Sequence, residues 1–550
     1  MRRFIYTGLA SLLLLAATTN GRAQEDTGRK TSAGQQTGLS EDQRVHHFLN
    51  RFTLGATPAL MAEVKTKGMR KWLEEQLKGD RPEPESLKQA LGKLSSLEMT
   101  LGEIADEYVL ELEPDATPQQ RRQARQLAQL PAKELLDSVM LRGALSNNQL
   151  REVGSDFFRN HFAVSLEKGP VELMAVNWER TVIREGALGN FGEMLDRSAH
   201  HPAMLFFLDN HLSCRPATEA EIEAIERRGR NVEKRLEALR QRGLNENYAR
   251  ELLELHTLGV DNYYTQDDVI EVAKCLTGWT ITPRRAAKLV DRDPMSFLFV
   301  RDFHCTGDKT VLGTTIKENR DNPEAEGAHV IKLLAAHEGT ARFLSWKLCR
   351  WFVNDEPDEK MVERVAKVFR DSKGDLPSVY LAIFDDPCFF EQANYLAKYK
   401  RPFEFVVSAL RATGAEIGNP TILHRQLVEM NESIYRCADP TGYYDQAEAW
   451  QDPGAMSLRW KFAYDLARGS FLTVRLPRSF YDDLPESEPG KWKDILARKL
   501  LCMPLSAQTS AALDKLIERK QADTKPRQLR GELGPLLVAG ILGSPEFQKQ

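Results

Sequence analysis

A mainly α fold, a multi-helix globular array with at most a small β-hairpin near residues 297–316, is predicted by three observations. Apolar residues recur at helical spacing in segment after segment, helix-start signals precede those segments, and one stretch only reads as paired strands. A composition of 42% hydrophobic and 28% charged residues supplies enough apolar material for a large core.

Taken in order, Arg2 and Arg3 precede an apolar run from Tyr6 to Thr18 that is too short to span a bilayer, and Gly21 and Ala23 offer small residues before Gln24. Residues 1–23 are therefore expected to be a signal peptide, and the general secretory route fits better than twin-arginine export because Phe4 follows the arginines directly. A retained membrane anchor is the alternative reading. No later segment is apolar enough to cross a membrane, so the mature chain is expected to be periplasmic or extracellular. Residues 24–39, rich in Gly, Ser, Thr and Gln, read as a flexible leader. Residues 40–550 read as the helical domain.

That domain opens with a capping box, Ser40 with Gln43, ahead of Val45, Phe48 and Leu49 at helical spacing. Thr57 before Pro58 starts a second helix, and Met69, Trp72, Leu73 and Leu77 form the next apolar stripe. Amphipathic segments follow at 117–145, 147–162, 170–185 and 219–242. The last mixes Arg227, Arg228, Arg230, Lys234, Arg235, Arg240 and Arg242 with glutamates, which predicts a solvated, ion-paired helix. Phe297 to Phe303 and Thr310 to Ile316 flank a turn at 304–309 and predict the one hairpin. Beyond Ala328 helix returns, interrupted by a Pro, Gly and Tyr-containing loop at 438–454, of a length that is often functional or mobile.

Charge narrows the function. Removing Arg2, Arg3 and Arg22 with the leader takes the formal charge from −4 to −7, so neither nucleic acid nor an anionic membrane surface is an expected partner. Seven cysteines, no two closer than 30 residues and none in a CxxC motif, read as buried small hydrophobes rather than a disulfide framework. No phosphate loop, nucleophile elbow or dinucleotide fingerprint is present. The sequence leaves any cofactor or metal unassigned.

The chemically suggestive centre is the stretch from Asn245 to Gly259. As one straight helix it places Asn247, Glu251, Glu254 and Leu258 on one stripe with Arg250 beside them, so the carboxylates can hold a metal, act as acid and base, or pair with Arg250. His256 lies about 140° from Glu251 around such a helix, which rules out shared ligation from it. Thr265 and Asp268 then cap a following helix.

The run NENYARELLELHTLGVDNYYTQDDVIEVAKCLTGWTI, residues 245–281, resembles the signature of the bacterial domain of unknown function 1800 family. The similarity extends from His46-His47-Phe48-Leu49-Asn50-Arg51-Phe52 to Ser544-Pro545-Glu546-Phe547. It draws attention to Asn160-His161-Phe162, His201-Pro202-Ala203-Met204-Leu205, Leu208-Asp209-Asn210, the turn from His304 to Gly313 and Arg401-Pro402-Phe403-Glu404-Phe405. Two departures stand out. Where relatives commonly carry a tryptophan and a histidine before Asn-His-Phe, this chain has Phe158 and Arg159, and where they follow the turn histidine with aspartate it has Cys305.

These readings give candidate catalytic residues Glu251, Glu254, His161 and His304, and candidate partner- or substrate-binding residues Asn247, Arg250, Asn160, Asp209 and Lys309. Each has a structural alternative. His161 among Phe157, Phe158 and Phe162 suits a hydrogen-bonded core, Glu251 and Glu254 suit an ion-pair network, and His304 is the histidine best placed to face a cleft or solvent. Two functions are open. The resemblance implies a binding or assembly protein acting with a secreted protein partner, since such proteins are often encoded beside a second exported family. The alternative is an extracytoplasmic hydrolase using the Glu/His cluster, with or without a metal. Convergence of His161, Glu251, Glu254 and His304 in one concave site favours the hydrolase, and their separate burial favours the binding protein.

Overall fold

The helix-start signals act as the sequence anticipates. Ser40 Oγ accepts from the Gln43 N–H and the Gln43 side chain accepts from the Ser40 N–H, which starts helix Glu41–Phe52. Thr57 caps Pro58–Lys67, and Thr265 with Asp268 forms the capping box of Gln266–Leu276. This computed structural model describes residues 38–227, 233, 243–260, 262–289 and 291–550. The expected signal peptide, nearly all of the leader and most of the charged 219–242 stretch lie outside the described residues. Among the described residues the chain is 64% helical with three small two-stranded sheets, which makes it mainly α.

The 297–316 segment does form strands, but not one hairpin. Phe297–Phe299 pairs antiparallel with Trp279–Ile281, whereas Lys309–Val311 pairs with Thr314–Ile316 across Leu312 and Gly313. A third pair joins Glu416–Ile417 to Val474–Arg475. The predicted 304–309 turn is instead pulled inward, because His304 and Lys309 are both buried.

Helical spacing aligns the core. Phe48 and Phe52 lie one turn apart on the first helix and meet Phe352, Phe384 and Phe389 from distant segments. Each is essentially buried, and removal of such a side chain from water contributes roughly 1.5–3 kcal/mol. Helix Glu338–Phe352 buries Ala341, Leu344, Ser345, Leu348, Cys349 and Phe352 on one face, leaving Trp346, Lys347 and Arg350 on another. Helix Gln149–His161 carries Asp156, Phe157, Arg159, Asn160 and His161 inward. These two helices form two walls of one open cavity.

The predicted 117–145 and 170–185 helices are each divided. The first is Pro118–Ala128 followed by Leu130–Leu145, with Pro131 in the opening turn of the second piece. The other is Val171–Trp178 continued by a π-helical turn, Glu179–Arg184. Among the described residues no helix is long and apolar enough to cross a membrane.

Candidate functional site

The Asn245 stretch departs from a straight helix. Asn247–Glu251 is α-helical, then Leu252–Thr257 widens into a π-helical turn, and Gly259, at φ +89°, ends it. Thr257 Oγ1 donates to the Leu252 carbonyl at 2.6 Å, five residues back, which fills the widened turn. The expected stripe therefore does not form around Arg250. Arg250 donates to Gln266 (2.8 Å) and sits 3.4 Å from Glu246 rather than pairing with Glu251 or Glu254. Glu254 accepts from the Tyr264 hydroxyl at 3.3 Å. Burial, with the charges of Glu254 and Asp439 nearby, pushes the Glu251 carboxyl up to about 7 despite Arg250.

Asn247 and Asp209 serve as fasteners. Asn247 Nδ2 donates to the Leu208 carbonyl (3.3 Å), Asn245 Nδ2 to the Asp209 carbonyl (3.0 Å), and Asp209 pairs with Lys168 at 2.7 Å. Together they tie the start of the 247–257 segment to the turn after Phe207.

His304 is not at a cleft. Nδ1 donates to the Thr277 carbonyl (2.9 Å), and Nε2 lies 3.1 Å from Glu326 Oε2, which also accepts from Lys309 Nζ. Burial favours a neutral Glu326, but the Asn319 N–H, Lys309 and His304 outweigh it and hold the carboxyl below its ordinary value. Cys305, in the place of the aspartate of similar sequences, lends its carbonyl to Lys309 (2.6 Å) and donates its N–H to the Thr277 hydroxyl (2.9 Å).

His161 belongs to a different cluster. Its Nε2 lies 3.3 Å from the His256 carbonyl, which can only accept, so Nε2 carries the proton and Nδ1 accepts from Lys347 Nζ at 3.0 Å. Burial, the nearby Lys347 charge and His256 keep His161 neutral, well below the ordinary histidine range. Burial likewise takes His256 down to about 3 and Lys347 down to about 8, the latter only partly offset by Asp445. The Phe157 ring stacks on His161 with centroids 5.9 Å apart.

Lys347 and His161 border an open cavity of about 140 Å³ with Phe157, Trp346, Arg350, Trp351 and the 441–446 turn around it. That turn is firmly held. Asn160 grips the Tyr443 backbone in both directions (2.7 and 2.8 Å), and a Cβ at Gly442 would lie 2.4 Å from the Asn160 carbonyl, so only glycine fits there at φ +76°. Lys398 donates to the Asp445 carbonyl (2.6 Å) and carboxylate (3.0 Å), and the Tyr443 hydroxyl bonds to the Ser433 backbone. Tyr444 stands at the rim with 71% of its surface exposed.

Beyond Asn160 lies a smaller cavity of about 40 Å³ bordered by a buried ion-pair network. Arg159 forks onto Glu179 (2.9 and 3.2 Å) and meets Asp156 (3.1 Å), while Arg401 joins Asp156 to Glu432. The arginine that stands where similar sequences carry histidine therefore forms a buried ion pair, and Phe158 beside it is fully buried.

The four candidate catalytic residues thus do not converge on one point: His304 sits with Lys309 and Glu326, His161 with Lys347 and the His256 carbonyl, Glu251 at the end of the α-helical part of the 247–257 segment and Glu254 in its π-helical turn. Among the described residues no group of three His, Cys, Asp or Glu side chains is arranged to hold a metal ion. Lys347, Glu326, Arg350 and Asp445 were not singled out by sequence reasoning. The signal for Lys347 was a cation whose neighbours one turn before and after, Phe343 and Trp351, are both aromatic, and that for Asp445 was the loop in which it lies.

Residues 47–549 match the family model described as Protein of unknown function (DUF1800). No curated protein and no solved structure matches the chain.

Proposed function

The chain belongs to the DUF1800 family of proteins of unknown function, and from that premise we propose that it is an exported binding or assembly protein acting with a secreted partner. The observation that carries this reading is Tyr444, an aromatic side chain largely in solvent on a turn that Asn160, Lys398 and the Tyr443 hydroxyl hold rigid. Exposed aromatics on rigid mounts lose little entropy on docking and dominate interface energetics, and Trp346 with Arg350 stacked 3.9 Å over its ring lies close by. The separation of the four acid–base candidates into different surroundings agrees with binding rather than chemistry.

A photo-crosslinking residue placed at 444 in the producing cells tests this. An adduct with a second exported protein, absent when the same residue is placed at the exposed Leu472, is the expected result. Adducts no stronger at 444 than at 472 overturn it. Export itself predicts a mature N-terminus at Gln24, and an intact Met1 in the membrane fraction contradicts it.

One observation favours the hydrolase reading: a carboxyl near 7, as at Glu251, is poised for general acid or base work at neutral pH. On that reading Glu251→Gln abolishes hydrolysis across a panel of esters, peptides and glycosides that the native chain cleaves. A panel left uncleaved by the native chain removes the reading.

A further inference from the structure

Buried cations in this chain are mostly matched to carboxylates. Arg159 meets Asp156 and Glu179, Arg184 meets Glu152, Lys309 meets Glu326, and Lys398 meets Asp355 and Asp445. Lys347 differs. Its hydrogen-bond partner among the described residues is a neutral imidazole nitrogen, His161 Nδ1, and its other N–H donors border the 140 Å³ cavity. Lys400, Arg51 and Arg459 also lack a carboxylate ion-pair partner among the described residues, but none of them borders either cavity.

Several other polar groups around this cavity are already engaged. Asn160 holds Tyr443, Thr441 donates to Asp439, and Asp445 is bound by Lys398. Arg350 gives its Nε–H to the Asp355 carbonyl (2.9 Å) and lies on Trp346. A half-buried ammonium with donors to spare, beside a cavity, lacks an acceptor that bears negative charge. The remaining walls are aromatic: Phe157, Trp346, Trp351, Tyr443 and Tyr444. A cavity of roughly 150 Å³ is known to admit a benzene-sized ring. Asp445 in the same wall disfavours a dianion such as phosphate, so one negative charge fits better than two.

We propose that this cavity is a binding site for a small aromatic carboxylate, whose carboxylate accepts from Lys347 Nζ and whose ring lies against the surrounding aromatic side chains. His161 fixes the ammonium from behind: its Nε2–H is committed to the His256 carbonyl, so Nδ1 is left to receive Lys347. The site does not depend on the partner reading and takes a free small molecule.

Benzoate is the probe. Titrated into the purified mature protein, it is expected to bind at one site and change the fluorescence of Trp346 and Trp351. Benzamide and toluene, which keep the ring without the charge, should bind at least about 10-fold more weakly, the loss expected for one charge-assisted hydrogen bond. Lys347→Met should remove that discrimination while circular dichroism stays native. In the unaltered protein, benzoate should slow reductive methylation of Lys347 in peptide mass spectra without affecting surface lysines, a readout that stands even if the variant fails to fold. No saturable benzoate binding, benzamide binding as tight as benzoate, or Lys347 methylated at the same rate with and without benzoate would each overturn the proposal.

Discussion

Two lysine–histidine pairs in this molecule, one fully buried and one partly buried, differ by one carboxylate. At Lys309 and His304 the gap is closed by Glu326, which accepts from both, and the cluster is sealed inside the fold. At Lys347 and His161 no carboxylate among the described residues completes the set, and a cavity opens where one would stand. The first arrangement satisfies its charges internally and has nothing left to offer a ligand. The second leaves a desolvated donor exposed to whatever enters, which is what a binding site requires and what a purely structural core avoids.

The contrast breaks most visibly at Glu326. Glu326→Gln keeps the size but strips the charge that Lys309 and His304 face, and breaking a buried pair in this way costs about 3–5 kcal/mol. Urea unfolding monitored by circular dichroism should show a loss of that size. A loss below about 1 kcal/mol would mean that water or backbone replaces the carboxylate readily, and the two pairs would then be alike.

The opposite sign is expected at Lys347. Its ammonium is held at about 8 in the folded chain against 10.5 when unfolded, so below pH 8 folding works against a proton that the unfolded chain binds more tightly. Lys347→Met removes that burden and should stabilise the protein at pH 7 by on the order of 2 kcal/mol. As pH rises from 8 to 10.5 the unfolded chain loses its advantage, and the gain should fade. Denaturant midpoints of the two proteins across that window measure it. A variant less stable than the native protein at pH 7 would show that the hydrogen bond to His161 and the Asp445 charge outweigh the cost of burying the ammonium.

How much of this the sequence disclosed depends on the range of the interaction. Ser40 with Gln43, Thr57 with Pro58 and Thr265 with Asp268 are contacts over three residues or fewer, and each was legible. So was the helical class, which rests on periodicity. The pairing of Phe297–Phe299 with Trp279–Ile281 was not, because a nearer strand offered a shorter loop and nothing local signals the longer one. The π-helical turn at Leu252–Thr257 was invisible for a related reason. Its composition is that of an ordinary helix, and the extra residue is accommodated by packing against helix Glu338–Phe352. Lys347 and His161 are 186 residues apart, so the pair could be found only in the folded chain.

Glu251 offers the finest test of the comparison, since it is, like Lys347, a group whose burial outweighs the opposite charge near it. Its folded value near 7 exceeds the unfolded 4.5, so the native chain holds a proton more tightly between those two values, and stability falls as pH rises through the window. Burial comes first among the causes, followed by Glu254 and Asp439, both of which repel the ionised form. Glu251→Gln removes the ionisation without changing the shape. The variant should match the native protein near pH 4 and exceed it above pH 7, by roughly 1 kcal/mol once solvent screening of a half-buried group is allowed for. Thermal midpoints compared at pH 4.5 and 8 resolve a difference of this size. Equal midpoints at both values would mean that the carboxylate is solvated well enough to ionise freely, and a drop at pH 8 would reveal a cation paired with Glu251.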